Sequence, residues 1–162
     1  MTLLLDNGAN PNQTDRDSMT PLLIAAFEGK AGVCEILLEN QADVDHSDKE
    51  GKSALFAAAS MGHLDIVNLL LFWGCYADGI DCEGRTVLSV AGAEGSPGVV
   101  QVLLDRGLDE NHRDNAGWGP LHYSAFEGHS IIIKVRIISP PLSTDLSSAA
   151  GQCRGGARHG GL

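Results

Sequence analysis

The chain has 162 residues, 43% of them hydrophobic and 20% charged, with a formal net charge of −10 at pH 7. That length gives one domain, and the acidic balance argues against nucleic acid, whose binding needs Lys and Arg to neutralise phosphates. Acidity is read first as a solvated surface and second as a pull on basic partners.

Residues 139–162 contain Arg154, Arg158 and Asp145, a balance of +1, which leaves −11 on the body of the chain. The apolar stretch from Ile66 to Tyr76 is interrupted by Asn68 and Gly74 and falls short of a membrane span. Met1-Thr-Leu-Leu-Leu runs straight into Asp6 without a basic n-region, so it does not read as a signal peptide. Cys34, Cys75, Cys82 and Cys153 form no CxxC pair and no metal-ligand spacing with histidine, which points to a reducing, cytoplasmic setting.

The sequence repeats itself. Asp15, Asp48, Asp81 and Asp114 are 33 residues apart each time, followed by Leu22, Leu55, Leu88 and Leu121 and then by Gly29, Gly62, Gly95 and Gly128. A fixed period of this size is the signature of a stacked array. In chain order, 1–14 is the second half of a truncated repeat: Met1 falls in the column of Cys34 and Val67, and Leu3, Leu4 and Leu5 have no first helix before them.

Residues 15–47 form the first full unit. Asp15 to Met19 is a turn, with Ser18 where later copies carry Gly51, Gly84 and Gly117, a column suited to positive φ. Thr20 caps a short helix and Pro21 takes its first position. Leu22, Ala25 and Ala26 share one face, and Gly29 closes the helix. A second helix carries Val33, Cys34, Ile36, Leu37 and Leu38, a stripe broad enough to need neighbours on both sides.

The units 48–80 and 81–113 repeat this plan, with Gly74 and Gly107 closing the second helices and Gln41 in that column of the first unit. Residues 114–138 form an incomplete unit: Arg136 stands in the column of Leu37, Leu70 and Leu103, and Pro140-Pro141 replaces the usual closure. This predicts a frayed or rotated last helix, because a buried unpaired Arg is costly. Residues 139–162 are rich in Ser, Gly, Ala and Arg and are expected to be disordered. Without polar capping units at either end, the sequence reads as an interior slice of a longer array; a short product with its own role is the alternative.

Asp15-Arg-Asp-Ser-Met-Thr-Pro-Leu-Leu-Ile-Ala-Ala, the later Gly62-His63 and the Leu-Leu pairs resemble the ankyrin-repeat pattern, from Leu3 to about residue 133. The histidine of that pattern survives only as His122; Leu23, Phe56 and Ser89 occupy its column elsewhere. The resemblance implies an all-α solenoid of stacked helix-turn-helix units with β-hairpin-like loops. It also implies a non-enzymatic module or scaffold whose partners are other proteins, monomeric, not inserted in a membrane and without a cofactor. Leu103-Leu-Asp-Arg-Gly-Leu-Asp-Glu-Asn-His-Arg-Asp and Ala58-Ala-Ser-Met-Gly-His further resemble a large endosomal scaffold of that family. Such a likeness implies sorting and recycling of membrane proteins. In the family, Asn12 and Asn111 sit at a hairpin position open to asparaginyl hydroxylation.

The residues that invite chemistry have plainer readings. His63, His122 and His129 fall where the pattern uses histidine as a structural hydrogen-bonding group. His46 and His112 lie beside acids but two repeats apart, with Gly79 between them in the column, and read as solvated turns. Gly92-Ala-Glu-Gly-Ser-Pro-Gly lacks the GK[ST] ending and the preceding strand of a phosphate loop, falls at the turn between two helices and reads as a loosened repeat. Cys34 belongs to the core. No catalytic, cofactor-binding or metal-ligating residue is assigned; a truncated array fragment without activity of its own is the alternative to the interaction module, and a hydrolase or transferase, which would need a constellation that the sequence lacks, ranks after it.

The family's working surface is a concave face made of hairpin tips and the exposed ends of first helices. By register, that face collects Met19, Lys52, Arg85 and Trp118 in one column and Phe27 and Phe126 in another, with Met61 next to them. Packing does not require aromatic or sulfur side chains there, so these seven are the candidate protein-binding residues. Lys52 and Arg85 suit an acidic segment, the neighbouring glutamates a basic one. Phe72 and Trp73 replace polar pairs in the sister repeats and form a second candidate patch, which either covers a neighbouring loop or meets a partner.

Overall fold

A computed structural model describes residues 2–133. Eight helices follow in order: α1 Thr2–Asp6, α2 Pro21–Phe27, α3 Ala31–Glu39, α4 Ala54–Ser60, α5 Leu64–Phe72, α6 Val87–Glu94, α7 Pro97–Asp105 and α8 Pro120–Phe126. Helical backbone resumes over 130–133. α2, α4, α6 and α8 pack side by side as an inner row, while α3, α5 and α7 form an outer row, each behind its own inner helix. No sheet forms among the described residues; the hairpins show only isolated antiparallel bridges, Ser47 with Ser53 and Ile80 with Thr86.

The aspartate column builds the turns. In every copy one carboxylate oxygen accepts two backbone N–H groups, from the residues two and four positions on: Asp15 from Asp17 and Met19, Asp48 from Glu50 and Lys52. Asp81 takes Glu83 and Arg85, and Asp114 takes Ala116 and Trp118, all eight bonds being 2.8–3.0 Å. Neighbouring turns are then stitched together by backbone bonds, Lys49 N–H to the Asp17 carbonyl (3.2 Å), Cys82 to Glu50 (2.8 Å) and Asn115 to Glu83 (3.0 Å). A local Asp turn thereby fixes the spacing between repeats.

Helix starts follow the sequence. Thr20 caps α2 by accepting from the Leu23 N–H, and Thr86 caps α6 by accepting from Ser89. Pro21, Pro97 and Pro120 occupy first-turn positions, where no backbone donor is lost. The columns expected to turn left-handed do so, including the two non-glycine members Ser18 (φ 64°) and Gln41 (φ 65°).

The core lies between the two rows and is continuous from Leu22 to Leu108. Its column leucines Leu22, Leu55 and Leu88 are buried, while the fourth, Leu121, is 59% exposed. Each unit therefore buries the inner face of the one before it. Ile133, in the column of Cys34, Val67 and Val100, is likewise exposed rather than core. Arg136, Pro140, Pro141 and the 139–162 tail lie outside the described residues.

Two places that invite chemistry are occupied by structure. Gly95 and Ser96 make the expected turn between α6 and α7, while Gly92 at the head of that segment belongs to α6 and is buried. A Cβ there would stand 2.9 Å from Ser124 Oγ and 3.0 Å from the Pro120 carbonyl, so the glycine admits α8 at close range. His46 and His112 are half-buried ties between the end and the opening turn of their own repeats rather than solvated turns: their Nε2 atoms lie 2.8 Å from the Ser18 carbonyl and 2.9 Å from the Gly84 carbonyl. Both carbonyls belong to left-handed turn residues that open the same repeat.

Candidate protein-binding face

The inner row and the hairpins enclose a groove of about 530 Å³. Its floor is built by Leu23, Phe56, Ala57 and Val90 from the inner helices, and its hairpin side by Met19, Lys52 and Arg85. Phe27 stands at one end, and Glu94, Tyr123 and Glu127 complete the other. Of the seven candidate residues, Met19, Phe27, Lys52 and Arg85 line this groove; Trp118, Phe126 and Met61 lie outside its wall.

Met19 is half-buried and packs against the core, which makes it as much a floor as a contact. Phe27 is 45% exposed and Met61 42%. Trp118 is half-buried in an aromatic group: its ring centroid is 5.3 Å from Tyr123, 5.5 Å edge-on from Phe126 and 6.1 Å from His122. These are separations at which rings attract one another. Phe126 is 73% exposed, a large apolar ring presented to solvent beside the groove.

The two cations are already paired. Lys52 Nζ is 2.6 Å from Glu50 Oε2, a contact that raises the ammonium and lowers the Glu50 carboxyl. Arg85 sends Nε and Nη2 to the same buried Asp81 oxygen, both at 2.9 Å, and Nη1 to Glu83 at 3.2 Å. Arg85 thus serves the fold of its own hairpin, which sequence spacing did not reveal.

Tyr123 was not singled out by the sequence, although it is the one aromatic in the column of Ile24, Ala57 and Val90. Its hydroxyl donates to Asp114 Oδ2, and burial followed by this bond pushes the phenol up to about 12. The bond lowers the Asp114 carboxyl in turn.

The remaining candidates are spread over other surfaces. Phe72, 83% exposed, and Trp73, which caps α5, lie on the outer row, away from the groove. Asn12 spans two hairpins: its side-chain oxygen accepts from the Asp43 N–H at 2.7 Å and its amide donates to the Gln41 carbonyl at 3.0 Å. Asn111 is exposed, its amide 3.2 Å from Glu110 Oε1.

The histidines are occupied by structure. His63 Nε2 lies 3.1 Å from the Phe27 carbonyl and His129 Nε2 2.9 Å from that of Ala93, while His122 Nδ1 accepts from the Gly119 N–H. Burial, then the charge of Asp65, pushes the Cys34 thiol up to about 11; burial, then Asp45, does the same at Cys75. Neither is poised as a thiolate nucleophile. Among the described residues no group of three or more His, Cys, Asp or Glu is placed to hold a metal ion, and no helix is long and apolar enough to cross a membrane.

Two family models match the sequence, ankyrin repeats (3 copies) over residues 1–81 and ankyrin repeats (many copies) over residues 88–135. No curated protein matches the chain. The matched residues, the Asp-anchored hairpins and the double row of helices agree: the chain belongs to the ankyrin-repeat family.

Proposed function

We propose that this chain is a non-enzymatic protein-interaction module whose concave face takes the partner. Ankyrin repeats in general bind other proteins. The observation that carries the choice of face is the exposed ring of Phe126 against Trp118, next to a groove floored by apolar side chains. Aromatic anchors of this kind supply much of the energy of protein interfaces. The test is affinity capture with the wild-type chain and a Trp118→Ala plus Phe126→Ala variant. Loss of partner recovery with a retained helical melt supports this face, and unchanged recovery removes it.

A finer reading rests on the two segments Ala58–His63 and Leu103–Asp114, which resemble the scaffold called ankyrin repeat domain-containing protein fifty. It makes the module a cytoplasmic, endosome-associated monomer that serves membrane-protein recycling. Imaging of the tagged chain against endosomal markers tests the location, and sedimentation tests the monomer. Asn111, whose amide is exposed at a hairpin, is the better of the two proposed hydroxylation sites, because Asn12 has both amide atoms engaged. Peptide mass spectrometry after incubation with an asparaginyl hydroxylase tests it: an added oxygen on Asn111 is the expected product.

A further inference from the structure

The exposed ends of the inner helices form one row, Glu28, Met61, Glu94 and Glu127, one residue from each repeat. All four are exposed, and Glu94 and Glu127 line the groove. The three carboxylates stand at the C-terminal ends of α2, α6 and α8, where the helix dipole favours a cation. The cations on the hairpin side of the groove do not neutralise them, since Lys52 is held by Glu50 and Arg85 by Asp81 and Glu83. Glu94 and Glu127 make no ion pair among the described residues. An apolar groove is thus bordered by uncompensated negative charge, on a chain of net charge −10.

We propose that the occupant of this groove is an extended basic peptide segment that lies across the inner helices with its cations about three residues apart. This rests on the concave face being the binding face. The spacing follows from geometry: packed helices stand about 8–10 Å apart, and an extended chain in the polyproline II form rises about 3.1 Å per residue with about three residues per turn, so every third side chain returns to the same face at the next repeat. Read along the row, the partner presents a cation to Glu127, a cation to Glu94, an apolar side chain to Met61 and a cation to Glu28. Charge pairing of this sort favours the right partner and speeds encounter, and both effects weaken with salt.

The experiment is fluorescence anisotropy of the full chain with labelled decapeptides. The probe Arg-Gly-Ser-Arg-Gly-Ser-Leu-Gly-Ser-Arg and its reversed sequence cover both chain directions. A peptide of the same composition with its three arginines contiguous controls for charge, and one with Glu in place of Arg reverses it. The expected result is saturable, salt-sensitive binding of one spaced probe, about tenfold tighter than the contiguous control. A comparable loss of about tenfold is expected for Glu94→Gln plus Glu127→Gln, which removes two of the three carboxylates that the spaced cations meet. Both substitutions are on the surface, and an unchanged thermal melt verifies folding.

Equal affinity for the spaced and contiguous peptides, indifference to the double substitution, or no binding by either spaced probe overturns the proposal. Binding of the Glu peptide that is lost in Phe126→Ala overturns the basic partner while leaving the concave face in place. Failure of the face itself is read separately, in the capture experiment with Trp118 and Phe126.

Discussion

The Tyr123 hydroxyl donates to the Asp114 carboxylate, so the turn that opens the fourth repeat is tied to its own inner helix with Trp118 between them. The other copies of this column carry Ile24, Ala57 and Val90, so the bond is particular to the repeat that displays the aromatic group.

Tyr123→Phe removes the donor and leaves the ring. A hydrogen bond to a charged group contributes roughly 1.5–3 kcal/mol, so the variant is expected to lose about 2 kcal/mol near neutral pH, read from the urea midpoint. The phenol rises from 10.0 to about 12 in the folded chain, so its contribution is fully present below pH 10.0 and fades as pH rises through about 12. Asp114 is lowered from 3.8, so its share is present above pH 3.8 and fades as pH falls through the folded value. Stability of the Phe variant should therefore vary less with pH at both extremes. An identical pH profile in the two proteins would remove this account of the bond.

Gly92→Ala tests the close approach of α6 and α8. The added methyl meets Ser124 Oγ and the Pro120 carbonyl at 2.9 and 3.0 Å, so the helices must separate. Overpacking of this kind costs about 1–3 kcal/mol, and thermal unfolding should show that loss. A variant as stable as the wild type would mean that α8 moves freely.

Ser18→Gly and Gln41→Gly run the other way. Both residues hold positive φ, 64° and 65°, in columns that are otherwise glycine in the matching turns. The left-handed conformation costs a non-glycine residue roughly 1–2 kcal/mol, partly offset by the greater freedom of glycine in the unfolded chain. Each variant is expected to gain about 0.5–1 kcal/mol in chemical denaturation, and a loss at both sites would contradict the strain.

Arg85→Met separates hairpin architecture from binding. It leaves the buried Asp81 oxygen without its guanidinium partner, although the backbone N–H bonds from Glu83 and Arg85 remain. The loss should be about 2–3 kcal/mol, seen as a lower melting temperature. Lys52→Met, whose partner Glu50 is exposed, should cost far less.

The period made the fold legible because each column answers to a local rule: Asp for the turn, Thr-Pro for the helix start, Gly for the left-handed stop. It also brought Met19, Phe27, Lys52 and Arg85 to one groove, since register alone fixes which side a column faces. Contacts between columns were not legible. Arg85 folds back on Asp81, and Tyr123 reaches Asp114 through a geometry that the periodic pattern does not encode. The ties of His46 and His112 are not legible either, because their partners are backbone carbonyls 28 residues away, which carry no side-chain signature.

In the proposed function a partner is taken on the concave face. Amide hydrogen exchange of the chain alone and bound to a captured partner tests it most directly. Slowed exchange at the hairpin tips and in α4, α6 and α8, with the outer row around Phe72 and Trp73 unchanged, is the predicted result. Protection confined to α5 and its Phe72–Trp73 end would contradict it.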